Sequence, residues 1–446
     1  MESVWQNACD LPQFPRLRQD VQTEVLIVGG GLAGILCAYE LHRAGVPYLL
    51  IEADRICGGV SGRTTAKITA QHGLIYAKLL RRFGAKKARQ YYEANEAALA
   101  QYRTLCQTID CDFTEADAYI YSLDRPKKLQ KELLALQTLG AAAELVPAPD
   151  LPFPTAGAIR FPKQAQFHPL KFVRTIAEGL HIYEHTPLRS FDGVRYQTDS
   201  GTITAQKAVI ATHFPMFNKH GAYFLKLYQH RSYVLALENA APVDGMYMDE
   251  RKDGVSLRNY GKLLLLGGGA HRTGKSGGGW AALEAFARKY YPNAQISYRW
   301  AAQDCMTPDD MPYIGQYSPH TPNLFVATGF NKWGMTSSMV AAQLLCDLVQ
   351  GRENSYEALF SPRRSILRPQ VAGNALHAVG NLLTPTVPRC PHMGCALKWN
   401  RQEHTWDCPC HGSRFSPDGK VLDAPAVKPL EHGQDPSDKT HERKPT

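Results

Sequence analysis

No stretch of this 446-residue chain reaches the ~20 consecutive apolar residues that a membrane-spanning helix requires, so no span is expected. Met1 to Asp20 carries acidic residues and prolines but no apolar core of a secretory leader, and a cytoplasmic protein is expected. Cysteine is sparse at 11 residues, too few for a disulfide scaffold in a chain this long. The net charge is +9, yet there is no run of Lys and Arg, so nucleic acid is not an expected partner. Internal repeats are absent. Hydrophobic content of 44% and charged content of 20% describe an ordinary globular protein of two or three domains.

What is there begins at the far end. Cys390-Pro-His392-Met-Gly-Cys395 is followed, after 12 residues, by Cys408-Pro-Cys410-His411-Gly-Ser413. Thiolates of Cys390 and Cys408 can bind one iron of a [2Fe–2S] cluster, and neutral imidazoles of His392 and His411 the other. Two neutral ligands in place of two anionic ones raise the reduction potential. A structural zinc site also uses Cys and His pairs, but leaves two cysteines and the Cys-Pro-Cys-His-Gly-Ser run unexplained. This double box resembles the Rieske domain, in the subtype of the cytochrome bc complexes. The remaining pair, Cys395 and Cys410, sits in the same two loops and is expected to join them by a disulfide. Phe415 stands where respiratory relatives often carry Tyr, which implies an intermediate potential. Only about 20 residues, Gln370 to Pro388, lie between the front unit and the first box, so the base of the domain reads as shortened.

At the front, Thr23 to Val28 is a β-branched run, followed by Gly29-Gly-Gly31-Leu32-Ala33-Gly34, a helical segment and a strand ending at Glu52. Glycines at these positions permit a tight turn, close approach of a pyrophosphate, and helix-on-strand packing. The carboxylate is placed for ribose hydroxyls. Cys57 to Lys67 then forms a glycine- and hydroxyl-rich loop holding Ser61, Gly62, Thr64 and Thr65. Together with Thr307-Pro-Asp309-Asp-Met-Pro312-Tyr-Ile-Gly315 and Asn323 to Gly329, it resembles the D-amino-acid oxidase-like superfamily, which includes glycine and sarcosine oxidases.

The resemblance implies a Rossmann-like FAD-binding domain with an inserted antiparallel substrate sheet, an α/β fold ahead of a small all-β Rieske domain. FAD contacts are expected from Gly29, Gly31, Leu32, Ala33, Gly34, Glu52, Ala53, Ser61, Gly62, Thr64, Thr65, Ala211, Thr212, Gly329, Lys332, Trp333, Gly334 and Met335. The helix opening at Lys332 to Thr336 implies backbone N–H groups facing the flavin. Lys332 adds charge there, or is a solvated loop lysine. Lys332, Lys67 and His271 are the catalytic candidates. Asp304 suits a cationic amine, and no Arg stands beside the Thr307 segment to pair an amino-acid carboxylate; Arg299 is the nearest.

Gly269-Ala-His-Arg-Thr-Gly274-Lys275-Ser276 matches a phosphate-binding loop, but no downstream strand offers the Mg²⁺-binding Asp such a loop needs, so it reads as a chance match. The expected organisation is an FAD unit over 1–365, with substrate layers mainly at 85–200 and 220–300, a connector at 366–384, a Rieske unit at 385–432 and a disordered tail at 433–446. The expected activity is a dehydrogenase oxidising a small amine or amino-acid-like substrate and passing electrons singly through the cluster to a protein or quinone-like acceptor. An electron-transfer module without a small substrate is the alternative. A redox sensor using Cys395 and Cys410 is a third.

Overall fold

The computed structural model describes residues 2–147, 151–217, 220–364, 380–384 and 388–430. Most of the expected connector and all of the expected tail lie outside these residues. The fold is mixed α/β with two large sheets and a small third one.

Val21–Val28 is apolar and becomes the centre of an eight-stranded sheet, paired in parallel with Thr202–Ile210 on one side and Tyr48–Ile51 on the other. Leu324–Thr328 pairs in parallel with Thr202–Ile210, and Tyr313–Gln316 closes that edge antiparallel. The helices Leu32–Arg43 and Gly334–Val349 pack together on this sheet, burying residues all along their lengths, as parallel sheets require of their faces.

The nine-stranded second sheet is built around Tyr228–Glu238, flanked antiparallel by Gln295–Met306 and Leu263–Arg272. It continues through Ser256–Tyr260, Met246–Asp249, Thr114–Tyr121 and Ala158–Gln166. One sequence reading is corrected here. Leu188–Asp192 and Arg195–Thr198, expected in the substrate layer up to residue 200, join the nucleotide sheet instead, through Thr202–Ile210. The helical stretch Tyr76–Leu105 is broken at Gly84, where φ is 78°, so that a second helix begins at Ala85.

The third sheet has four short antiparallel strands, Lys398–Asn400, Thr405–Asp407, Arg414–Phe415 and Val421–Asp423. The first two form a hairpin between the boxes. Among the described residues no further base strands accompany them. No described helix is long and apolar enough to cross a membrane.

Candidate functional site: a cavity shared by two units

The first βα turn is held by steric necessity. Gly29 has φ of 110°, and a Cβ there would lie 2.6 Å from the Ala211 carbonyl oxygen. At Gly34 a Cβ would lie 1.9 Å from the Gly29 oxygen, so no side chain fits. The turn therefore leaves the start of the Leu32 helix bare of side chains, a cradle for an anion. Ser61 closes it, accepting from the Leu32 N–H at 2.9 Å. Glu52 accepts from the Gly30 N–H at 2.6 Å and the Asp54 N–H at 3.0 Å. Burial pushes its carboxyl up against these donors.

A cavity of about 1410 Å³ opens from this turn. Sixteen of the expected cofactor contacts line it: Gly29, Gly31, Leu32, Ala33, Glu52, Ala53, Ser61, Thr64, Thr65, Ala211, Thr212, Gly329, Lys332, Trp333, Gly334 and Met335. Gly34 and Gly62 do not; they act behind the wall, by close packing against Gly29 and Cys57.

Of the catalytic candidates, only Lys332 lines the cavity. Burial lowers its pKa and Asp304 opposes that shift. Asp304 also lines the cavity, is pushed up by burial and is drawn back by Lys332, and approaches the Ser232 hydroxyl at 3.4 Å. Lys67 lies behind the lining, 3.4 Å from the Thr65 hydroxyl; burial, with Arg258 nearby, lowers its pKa to about 7. His271 does not face the cavity. Its ring lies 5.6 Å from that of Tyr233, on the seam with the C-terminal unit.

The phosphate-loop match is likewise at the seam. Its strand, Leu263–Arg272, runs antiparallel to both neighbours, unlike the parallel strand that feeds such a loop. A Cβ at Gly274 would lie 2.6 Å from Pro409.

Three cavity histidines escaped the sequence reading. His72 stacks on Trp333 at 4.7 Å and 17° and bonds the Tyr91 hydroxyl at 2.6 Å; burial lowers its pKa to about 3, so it is neutral. His213 bonds Gln229 at 3.2 Å, and His230 is neutral through burial. None sits in a motif, and only the packing brings them to the cavity.

The C-terminal boxes fold as twin loops. Cys390 N–H donates to the Cys395 carbonyl at 2.9 Å, and Cys408 N–H to the Ser413 carbonyl at 2.8 Å. Gly394 and Gly412 N–H each return a bond to the first cysteine of its loop at 2.9 Å. A Cys395–Cys410 disulfide ties the loops. Cys395, Cys408 and Cys410 sulfurs lie within 4.8 Å of one another, but the disulfide leaves two of them without a thiolate to offer a metal. Cys390 and Cys408 share a thiol hydrogen bond that lowers the pKa of Cys390 to about 7. The rings of His392 and His411 lie 5.0 Å apart, and burial holds both neutral. The buried Nδ1 of His411 has no hydrogen-bond partner. Two thiols and two neutral imidazoles, one of each per loop, fit a [2Fe–2S] cluster of mixed ligation.

Among known families, an FAD dependent oxidoreductase model matches residues 24–348, and a Rieske [2Fe-2S] domain model matches residues 374–434. The chain belongs to the FAD dependent oxidoreductases. It carries a Rieske domain at its C-terminal end, and its cofactors are FAD and a [2Fe–2S] cluster. A protein of Bacillus subtilis (strain 168) named "Putative Rieske 2Fe-2S iron-sulfur protein YhfW" is 38% identical over 96% of this chain and 97% of its own. Over 44 residues, 10% of this chain, the cytochrome b6-f complex iron-sulfur subunit 3 of Nostoc sp. (strain PCC 7120), 25% of which is matched, is 50% identical. Glycine oxidase from Geobacillus kaustophilus shares the fold of 77% of this chain and 99% of its own, with a TM-score of 0.65 at 23% identity.

The Rieske domain is seated on the nine-stranded sheet. Arg231 and Tyr233 bond Glu403, the latter at 3.0 Å. Gln303 donates to the Gly412 carbonyl at 2.8 Å, and the Trp280 N–H to Gln402 at 3.0 Å. Arg272 donates to the carbonyls of Pro409 and Cys410, both at 3.3 Å. Burial pushes the Glu403 carboxyl up, but Arg231 and Arg414 outweigh it and hold Glu403 below the usual carboxylate range. Rieske residues Lys420, Val421, Leu422, Asp423, Ala424 and Ala426 line the same cavity as the nucleotide turn.

Proposed function

We propose that this protein is a dehydrogenase that oxidises a C–H bond beside the nitrogen of a small amine and passes the electrons singly through its Rieske cluster to a protein or quinone-like acceptor. The observation that carries this reading is the shared cavity: one wall comes from the nucleotide-binding unit and another from the Rieske domain. Cys390, Cys408, His392 and His411 are the proposed cluster ligands, and Cys395–Cys410 the brace that holds their loops together. The residues around Gly29 to Ala33, Ser61 to Thr65 and Gly329 to Met335 are the proposed FAD contacts.

Bound FAD supplies two-electron oxidation and the cluster takes electrons one at a time. An amine R₂CH–NHR′ loses two electrons and two protons to give the imine, and two equivalents of a one-electron acceptor are reduced per turnover. Asp304, half-buried and interacting with Lys332, is placed to accept a hydrogen bond from a cationic amine, and neutral His230 and His213 offer proton acceptors at the same wall. The residues that open the Gly334 helix line the cavity, and the positive end of that helix favours negative charge there. Lys67 and His271, set off the lining, are not assigned a substrate contact. Glycine oxidase acts, by its name, on a small amine, which agrees with this class. A cytoplasmic setting suits the seven unbridged thiols outside the boxes.

The test is anaerobic mixing with primary, secondary and N-methylated amines while flavin absorbance and the low-temperature EPR spectrum are recorded. Flavin bleaching together with a Rieske-type signal is the expected result. No change with any amine, while dithionite still produces the signal, favours a module reduced by a protein donor.

A further inference from the structure

We propose that Phe214 is the electron-transfer bridge between the flavin cavity and the two histidines of the Rieske domain. The inference rests on the dehydrogenase reading above and adds its internal route.

Phe214 follows Ala211-Thr212-His213 in the loop that leaves the central strand Thr202–Ile210 at its cavity end. The loop is pinned: the Phe214 N–H donates to the Thr212 carbonyl at 2.7 Å, the Thr212 hydroxyl to the Phe214 carbonyl at 3.0 Å, and the Thr328 hydroxyl to the His213 carbonyl. The ring is fully buried and lines the cavity. On its other side it meets both histidines edge-on, His411 at 6.2 Å and His392 at 6.5 Å between centroids. One side chain thus touches the cavity and both proposed ligands of the same iron.

The setting favours entry of electrons on this side. His411 is only 3% exposed, walled by Phe214 and by Phe224 at 6.3 Å. An external acceptor cannot reach its ring, whereas the oxidoreductase already does. Electron tunnelling weakens steeply across gaps and less through contiguous bonded or packed atoms. A ring packed directly on the imidazoles offers a shorter route than the polar contacts across the seam, Gln303 on the Gly412 carbonyl at 2.8 Å and Arg272 on the Pro409 and Cys410 carbonyls at 3.3 Å, which still have to traverse backbone to reach the His411 ring. Each transfer moves one electron from reduced flavin to the oxidised cluster, and two transfers clear the pair taken from substrate, the acceptor reoxidising the cluster after each.

The experiment uses the full chain with both cofactors and no substrate. Flavin is photoreduced anaerobically by a flash, and the rise of the reduced-cluster signal is timed in wild type and in Phe214→Leu, Phe214→Met, Phe214→Tyr and Gln303→Leu. The Leu and Met variants are expected to slow the rise several-fold, with the dithionite-reduced EPR spectrum and flavin content unchanged. Tyr, which keeps the ring, and Gln303→Leu are expected to stay near the wild-type rate. Met preserves volume if Leu disturbs folding. Wild-type rates in both ring-deleted variants, or slowing confined to Gln303→Leu, overturn the bridge alone. A wild-type cluster that stays oxidised while flavin is reduced overturns the dehydrogenase reading, and the bridge with it.

Discussion

The two cofactor-bearing units are stabilised by different means. The oxidoreductase part holds three apolar clusters, the largest uniting the nucleotide-sheet helices with the Tyr76–Leu105 helix. The Rieske domain has one small cluster, and four of its nine fully buried members are the cysteines. Beside it lies a buried charge network. Arg414 bonds Asp407 at 3.0 Å, Asp423 at 2.9 Å and Glu403 at 2.8 Å, and Arg231 reaches across the seam to Glu403. A unit this small cannot bury enough apolar surface by itself, so a disulfide, ion pairs, a metal cluster and a borrowed sheet take over. The lesson is that, among the described residues, the small unit is braced by the large one across the Arg231–Glu403 seam.

The strongest way to break this comparison is to empty one site and watch the other. Cys408→Ser is expected to abolish the Rieske EPR signal while leaving flavin absorbance intact. Gly34→Val, whose Cβ has no room beside the Gly29 oxygen, is expected to abolish FAD binding. If it also erases the EPR signal, the Rieske domain depends on a fully formed partner; if the signal survives, the seam alone is sufficient.

Next in size is the seam. Arg231→Met leaves Glu403 buried with Arg414 as its remaining guanidinium, and a cost of about 3 kcal/mol is expected from breaking a buried pair. The denaturant midpoint of cluster absorbance should fall further than that of flavin absorbance. Equal falls mean that the two units unfold as one.

A third prediction concerns Lys67, half-buried in the larger unit. Its pKa is lowered from 10.5 to about 7, so the folded state disfavours its charge. Below pH 7 both folded and unfolded forms are protonated and the full penalty applies. Stability recovers as pH rises from about 7 towards 10.5, where the unfolded form still binds the proton. Lys67→Met is expected to stabilise by about 2–4 kcal/mol at pH 6, with the gain shrinking by pH 9. A pH-independent gain in thermal unfolding contradicts this.

The smallest effect is expected at Phe415, buried in the cysteine cluster. Phe415→Tyr adds a phenol donor near the cluster, and a modest rise in reduction potential by EPR-monitored titration is the expected outcome.

Much of the site was legible because it is local. The double box, the hairpin at Lys398 and Thr405, and the Gly29 turn each lie within a few residues, where spacing alone dictates geometry. Other features were not. Leu188–Asp192 and Arg195–Thr198 fell in the stretch expected to form the substrate layer, and nothing in their sequence showed that they would join the nucleotide sheet. His271 stood beside a glycine turn that in sequence pointed to substrate, yet its strand carries it to the seam. His72 and His230 had no motif at all.

By itself, then, the sequence determined the two cofactor chemistries, since ligand types, glycines and a carboxylate at short spacings leave the backbone few alternatives. Only the tertiary structure decided that the Rieske domain walls the nucleotide cavity, that Phe214 stands between that cavity and the two histidines, and that Arg231 and Glu403 lock the units together. Residues far apart in the chain meet through sheet pairing and side-chain packing, and neither is encoded in any local period.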